Sequence, residues 1–83
     1  MRQRVIDTED FGKAIKVARK AQGSTQKELA DFFAAFSREF LSDLESGKST
    51  VELGKALAVA HALGLRLYLE SDAPAAAKGG GVS

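Results

Sequence analysis

The sequence predicts a small, mainly α-helical domain of four to five helices that ends in one short β-strand. Three observations lead to this prediction. Apolar residues recur at helical spacing over most of the chain as far as Leu63. Capping residues precede the helical segments, and glycines follow them. After Gly64 the apolar spacing changes to the twofold period of a half-buried strand.

The composition indicates one domain. With 83 residues, 45% hydrophobic and 28% charged, the chain is expected to bury only about 60% of its unfolded surface and to need further support. It has no cysteine, which excludes disulfides and thiolate metal sites and fits a reducing compartment. No apolar run reaches the roughly 20 residues that cross a bilayer, and no signal peptide is recognisable. We therefore expect a cytoplasmic protein without a membrane partner, supported by a second subunit.

Residues 1–8 form an N-terminal arm that is either loose or a short edge strand. Asp7 or Thr8 can cap the first helix, and Gly23 can end it in the left-handed conformation. The buried stripe of this helix is predicted to be Phe11, Ala14, Ile15 and Ala18, and Lys13, Lys16 and Lys20 lie on another face.

Two short helices follow, joined by a tight turn. Thr25 starts the first, with Glu28 in the position of a capping box, and the helix runs from Gln26 to about Phe33. Ser37 starts the second, which extends to about Ser46. Their predicted buried residues are Leu29, Ala30, Phe33 or Phe32, Phe40, Leu41 and Leu44. Such an arrangement predicts a helix-turn-helix, whose second helix can enter the major groove of DNA.

The last helix is predicted to start at Ser49 or Thr50 and to end at Gly64. Its inner stripe is predicted to be Leu53, Ala56, Leu57, Ala60 and Leu63. The domain spans residues 9–71, and residues 72–83, rich in alanine and glycine, are predicted to be a flexible tail.

The segment 65–71 is predicted to be the strand. Because one strand cannot satisfy its own backbone groups, and the chain offers no other convincing strand, we expect it to pair with the same segment of a second copy. The predicted dimerisation residues are Leu65, Leu67, Tyr68 and Leu69.

These motifs resemble a known family. Gly23-x-Thr25-Gln26-x-Glu28-Leu29-Ala30, the segment 37–45, Ser46-Gly47-Lys48 and Ala62-Leu63-Gly64-Leu65 resemble the xenobiotic-response-element type of phage-repressor-like helix-turn-helix. Overall length and the terminal strand resemble the HipB-like antitoxins in particular. The resemblance covers about residues 10 to 70.

The resemblance implies a repressor dimer that binds an operator and acts as the antitoxin of a type II toxin-antitoxin system, with a HipA-like serine/threonine kinase as toxin. It implies that Gln26 contacts a DNA phosphate and that Arg19 and Glu45 form a structural pair between the first and third helices. It also implies that the major groove is faced by Ser37, Arg38, Glu39 and Ser42.

Side-chain chemistry favours Arg38 among these residues and adds Lys48 as a further candidate for DNA contact. Arg38 is favoured for direct readout, since a guanidinium can hydrogen-bond two guanine acceptors at once. Lys48 lies in the loop after the third helix, where contacts with the DNA backbone are common.

The sequence departs from the family in three respects. Ala30 to Gly47 is one residue longer than usual, and Ala35 replaces the expected turn glycine. The third helix is therefore expected to be rotated or shifted. Glu39 and Asp43 place two carboxylates on the face expected to meet DNA, which predicts weak or strongly salt-dependent binding.

Two other functions stay open: a stand-alone phage-type transcriptional regulator, and a toxin-binding module with little DNA affinity. Phe32 or Phe36, if exposed, would form a protein-binding patch. His61, the sole histidine, cannot form a zinc site, and we recognise no catalytic constellation. We expect no enzyme activity, metal or cofactor.

Overall fold

A computed structural model describes residues 2–72. These residues form four α-helices: α1 (Thr8–Ala21), α2 (Gln26–Phe32), α3 (Arg38–Ser46) and α4 (Leu53–Ala62). The prediction of a mainly α-helical domain is thereby confirmed, with four helices in the described part of the chain. The predicted tail lies outside the described residues, apart from Asp72.

The first three helices begin where their capping residues predict. The Asp7 carboxylate accepts a hydrogen bond from the Asp10 N–H at 2.9 Å and starts α1. Thr25 and Glu28 form the complete capping box, with reciprocal hydrogen bonds of 3.0 and 2.9 Å. These side chains satisfy N–H groups that lack a partner within the helix, which fixes the start of each helix.

One core joins the four helices. Its buried residues are Ile15, Leu29, Phe36, Leu41, Leu44, Ala56, Val59, Ala60 and Leu63. Phe33 packs partly buried against this core, while Phe32 is 80% exposed. The sequence predicted that either Phe33 or Phe32 would be buried, and Phe33 is the one that faces the core.

A glycine lets α1 and α3 approach each other closely. A Cβ atom on Gly12 would lie only 2.4 Å from the carbonyl oxygen of Leu44 and 2.8 Å from that of Glu45. The backbone of α3 therefore lies against α1 at this point. Thr8 adds a second contact, because its hydroxyl donates to the Gly47 carbonyl at 2.8 Å. Both contacts fix the C-terminal part of α3.

The predicted start of α4 is wrong, and its predicted buried stripe is correct at Ala56, Ala60 and Leu63 but wrong at Leu53 and Leu57. The helix begins at Leu53 after Glu52, whereas Ser49 and Thr50 lie in a turn. Val51, between this turn and the helix, packs partly buried against the core. The face that packs inward is Ala56, Val59, Ala60 and Leu63, so that Leu53 and Leu57 are 66% and 42% exposed. The small side chains of the two alanines allow the closer approach on this face.

The predicted C-terminal strand is not confirmed. Residues 65–71 form no strand, and none occurs elsewhere in residues 2–72. A strand is defined by its hydrogen-bonded neighbour, and the described chain supplies none to this segment. Leu65 is half-buried, while Leu67, Tyr68 and Leu69 are 51%, 79% and 103% exposed.

Candidate nucleic-acid interface

The turn between α2 and α3 accommodates its extra residue by burying an aromatic ring. Phe36 is 7% exposed, and its N–H donates to the Phe33 carbonyl at 2.9 Å. No non-glycine residue among those described has a positive φ, so Ala35 needs no glycine in its place. Ser37 then starts α3, accepting a hydrogen bond from the Phe40 N–H at 3.0 Å. The two anchored phenylalanines fix the turn on both sides.

The exposed face of α3 carries most side chains predicted to reach DNA. Arg38, Glu39 and Ser42 are exposed, whereas Leu41 and Leu44 on the opposite face are buried. The side chains of Arg38 and Glu39 form no hydrogen bond or ion pair with any other described residue. The guanidinium of Arg38 can therefore turn toward a ligand without breaking an internal contact.

The second carboxylate on α3 has a basic neighbour. The Lys48 ammonium lies 3.5 Å from the Asp43 carboxylate, and the Lys48 N–H donates to the Asp43 carbonyl at 3.1 Å. Gly47, at φ 87°, turns the chain so that Lys48 lies beside the helix it follows. Lys48 thus partly offsets the charge of Asp43, whereas Glu39 has no basic partner among the described residues.

Gln26 lies at the start of α2, where its side chain joins a buried ion pair. Its Nε2 donates to Glu45 Oε1 at 3.1 Å. Arg19 donates to the same carboxylate through Nε at 2.6 Å and through its terminal nitrogen at 2.8 Å. A further Arg19 N–H reaches the Ser24 carbonyl at 2.7 Å. The pair between α1 and α3 that the family resemblance implies is confirmed, and it also orients Gln26.

The ion pair is held in its charged form. Burial opposes charge on Glu45, yet hydrogen bonds from Arg19 and Gln26 and the nearby charge of Lys16 together lower the pKa of Glu45. The hydrogen bond to Glu45 raises the pKa of Arg19, against the effect of its own burial. The two groups therefore stay charged at neutral pH.

Lys16 is a residue that the sequence did not single out within the lysine face of α1. Its charge helps to lower the pKa of the Glu45 carboxylate, and its side chain is exposed. Lys13 and Lys20 are likewise exposed. The signal was present in the sequence, since Lys16 precedes Arg19 by one helical turn and both share a face.

The described residues offer no other obvious chemistry. They contain no group of three or more side chains suited to holding a metal ion, and His61 is exposed. None of the described helices combines the length and hydropathy that a membrane crossing requires.

The family model of the helix-turn-helix, described simply as "Helix-turn-helix", matches residues 15–69. The chain is 39% identical, over 64 residues, to an uncharacterized HTH-type transcriptional regulator, y4mF, of Sinorhizobium fredii (strain NBRC 101917 / NGR234). The match covers 77% of this chain and 83% of the relative.

Two solved structures share the fold. One is a HipB–O4 20mer complex, with a TM-score of 0.75 over 87% of this chain. The other is a complex of a HipB variant with an O2 20mer, with a TM-score of 0.76 over 88% of this chain. Both matches cover 100% of the solved chain, at 22% identity.

The chain belongs to the helix-turn-helix family of the xenobiotic-response-element type, and its fold is HipB-like. This confirms the family that the sequence motifs resemble. Members are non-enzymatic DNA-binding proteins, so the expectation that the chain is not an enzyme is confirmed as well.

Proposed function

We propose that this protein is a cytoplasmic, dimeric, sequence-specific DNA-binding transcriptional repressor. The observation that carries the proposal is the exposed face of α3, on which Arg38 has no partner among the described residues, next to the ordered start of α2. In helix-turn-helix proteins the second helix of the motif enters the major groove. Arg38, Ser42 and Glu39 then face base edges, while Gln26, Ser37 and Lys48 contact the phosphate backbone.

The two kinds of contact have separate roles. A guanidinium presents two donors that match the O6 and N7 acceptors of guanine, so Arg38 supplies sequence discrimination. Glu39 accepts a hydrogen bond from a cytosine amino group. Contacts with phosphate position the protein without reading sequence, which is the role of Gln26 and Lys48.

The dimer forms through residues 65–71, with Leu65, Leu67, Tyr68 and Leu69 in the interface. The support for this part is the exposed apolar surface of Leu67, Tyr68 and Leu69. Pairing two copies of the segment across a twofold axis provides backbone partners for both and spaces two α3 helices by about 34 Å, one turn of DNA.

A DNA-binding assay tests the proposal. The protein is titrated into labelled DNA from the region upstream of its own gene, with unrelated DNA of equal length as the control. We expect saturable binding that prefers the upstream fragment. Equal affinity for both fragments at moderate salt contradicts sequence-specific repression.

We further propose that the protein is the antitoxin of a type II toxin-antitoxin pair that neutralises a HipA-like kinase. The HipB-like fold and the terminal segment after α4 support this role. A kinase gene next to this one, whose product co-purifies with the protein, is the expected result. A neighbouring gene without a kinase product favours a stand-alone phage-type regulator.

A second function, binding a toxin with little affinity for DNA, is favoured by one specific observation. Phe32 at the end of α2 is 80% exposed, and its ring packs edge-on against Phe33 at 4.7 Å between centroids. An exposed aromatic side chain at the end of α2 suits a protein surface better than a polyanion. If Phe32→Ser abolishes toxin binding and leaves DNA binding intact, the two functions use separate surfaces.

A further inference from the structure

An open groove of about 1700 Å³ separates the N-terminal arm from the chain that follows α4. Residues 2–5 line one side, and residues 64–72 line the other. Between them the groove is lined by the apolar side chains of Phe11, Ala14, Ile15 and Ala60. Residues of both α1 and α4 therefore line the groove.

The two sides of the groove are not hydrogen-bonded to each other as strands of a sheet. No backbone hydrogen bond joins residues 2–6 to residues 65–70. The one ion pair between them joins the Arg2 guanidinium to the Glu70 carboxylate at 2.6 Å. Both side chains are largely exposed, at 84% and 74%, and an exposed pair contributes little to stability. The two extended segments therefore lie side by side but do not form a β-sheet.

We propose that this groove accepts residues 65–70 of a second copy, so that the arm becomes an outer strand of the dimer interface. The proposal rests on the dimer proposed above and adds the arm to it. A twofold axis makes the insertion reciprocal: the segment of each copy lies between the arm and the segment of its partner. The strand order is then arm, partner segment, own segment, partner arm.

The chemistry of both surfaces favours a second copy as the occupant. The segment itself has exposed apolar side chains, Leu67 and Leu69, and the half-buried Phe11 and Ala14 offer apolar surface in the groove to receive them. The arm carries Arg2 and Arg4, and Glu70 of the segment supplies a carboxylate to meet them, while Arg66 leaves the segment neutral overall. The apolar surface that each chain exposes in its groove is thus covered by residues 65–70 of the second copy.

The arrangement also protects the edges of the sheet. Each segment has a neighbour on both sides, and only the arms remain at the outside. Charged residues on an edge strand discourage pairing with further chains, and the arm has Arg2 and Arg4 in this position. The interface therefore closes at two copies.

Disulfide trapping tests the strand order, because the natural chain contains no cysteine. Val5→Cys is combined in turn with Leu65→Cys, Leu67→Cys and Leu69→Cys in the full-length protein, and the oxidised samples are run on non-reducing gels. A disulfide needs Cα atoms within about 7 Å, and strands two positions apart are separated by about 9.6 Å. We expect at least one pair to form a covalent dimer and none to close within one chain.

Two controls make the result specific. Val5→Cys alone should give no covalent dimer, since the two arms lie about 14 Å apart at opposite edges of the sheet. Leu65→Cys, Leu67→Cys and Leu69→Cys alone measure the covalent dimer that forms between the two adjacent segments, and a Val5 pair supports the strand order only if it gives more covalent dimer than the matching single variant. A disulfide within one chain, no disulfide in any pair, or a covalent dimer from Val5→Cys alone overturns the proposed order.

Sedimentation of the wild-type protein separates this inference from the proposed function. If the protein is a dimer in solution but the double-cysteine variants form disulfides only within one chain, the strand order is wrong and the proposed dimer is unaffected. A monomer at tens of micromolar overturns the dimer and the strand order together.

Discussion

Arg19 and Glu45 form a buried, doubly hydrogen-bonded ion pair that joins α1 to α3. The guanidinium donates to both carboxylate oxygens, at 2.6 and 2.8 Å, and the two residues are only 6% and 8% exposed. Glu45 also accepts from Gln26, at the start of α2. One carboxylate therefore connects the three helices that set the position of the proposed DNA-binding surface.

Removing this carboxylate should destabilise the fold strongly. Glu45→Ala leaves the Arg19 charge buried without a partner, so we expect the free energy of unfolding to fall by about 3 to 5 kcal/mol. Urea denaturation followed by circular dichroism, at one fixed protein concentration, measures the change.

The matched control is an exposed ion pair. Lys27 lies 2.9 Å from Asp31 one helical turn away, with both side chains mostly in solvent. Lys27→Ala should change the free energy of unfolding by less than about 0.5 kcal/mol. Equal effects of the two substitutions would show that the buried pair contributes no more than a surface one.

The same pair predicts acid sensitivity. The pKa of Glu45 is lowered in the folded state from its ordinary value of 4.5, so its stabilisation is complete above that value. It is lost as the pH falls through the lower, folded pKa. Glu45→Gln cannot titrate, and we expect the stability difference between wild type and variant to shrink between pH 7 and pH 3. A difference that grows in acid is the opposite of this prediction.

Two helical glycines should respond oppositely to alanine. At Gly12 a Cβ atom would lie 2.4 Å from the Leu44 carbonyl oxygen, so Gly12→Ala must push α1 away from α3 and cost about 1 to 3 kcal/mol. At Gly54 the nearest atom is a Glu52 oxygen 3.8 Å away. Gly54→Ala should therefore stabilise the protein by about 0.5 to 1 kcal/mol, through helix propensity alone. Thermal unfolding of both variants checks the contrast, and two shifts of the same sign would argue against the close contact.

Lys48 should contribute to DNA affinity through its charge. If its ammonium leaves Asp43 for a phosphate, Lys48→Met reduces the slope of log affinity against log salt by about 0.9. The preference for the specific fragment should stay constant, since a phosphate contact carries no sequence information. Fluorescence anisotropy at four salt concentrations measures the slope, and an unchanged slope would place Lys48 away from the DNA.

Local capping signals were enough to predict three helices of this fold. Asp7, Thr25 and Ser37 cap the helices as their side-chain chemistry predicts, because each bonds N–H groups within its own first turn. The predicted start of α4 was wrong because Ser49 and Thr50 look equally suited to capping, whereas both lie in a turn and the helix begins after Glu52 without a side-chain cap. The terminal segment has the apolar alternation of a strand, but residues 2–72 form no strand.

The sequence was enough to predict which residues belong to the candidate site, but not which of them contact one another. Exposure of Arg38, Glu39 and Ser42 follows from the helical period of α3. The pairing of Lys48 with Asp43 depends on the left-handed turn at Gly47, and the bond from Gln26 to Glu45 depends on how α2 crosses α3. Such contacts join residues through tertiary geometry, which the order of residues in the chain does not reveal.

The most direct test of the proposed DNA readout is the affinity of Arg38 variants for the upstream fragment and for unrelated DNA. Arg38→Ala removes a bidentate base contact, so specific affinity should fall by about 1 to 3 kcal/mol, roughly 5- to 150-fold. Arg38→Lys keeps the charge and serves as the control: it should hold its affinity for unrelated DNA and lose most of the preference for the upstream fragment. If both variants bind the upstream fragment as tightly and as selectively as the wild type, α3 does not read the operator through Arg38.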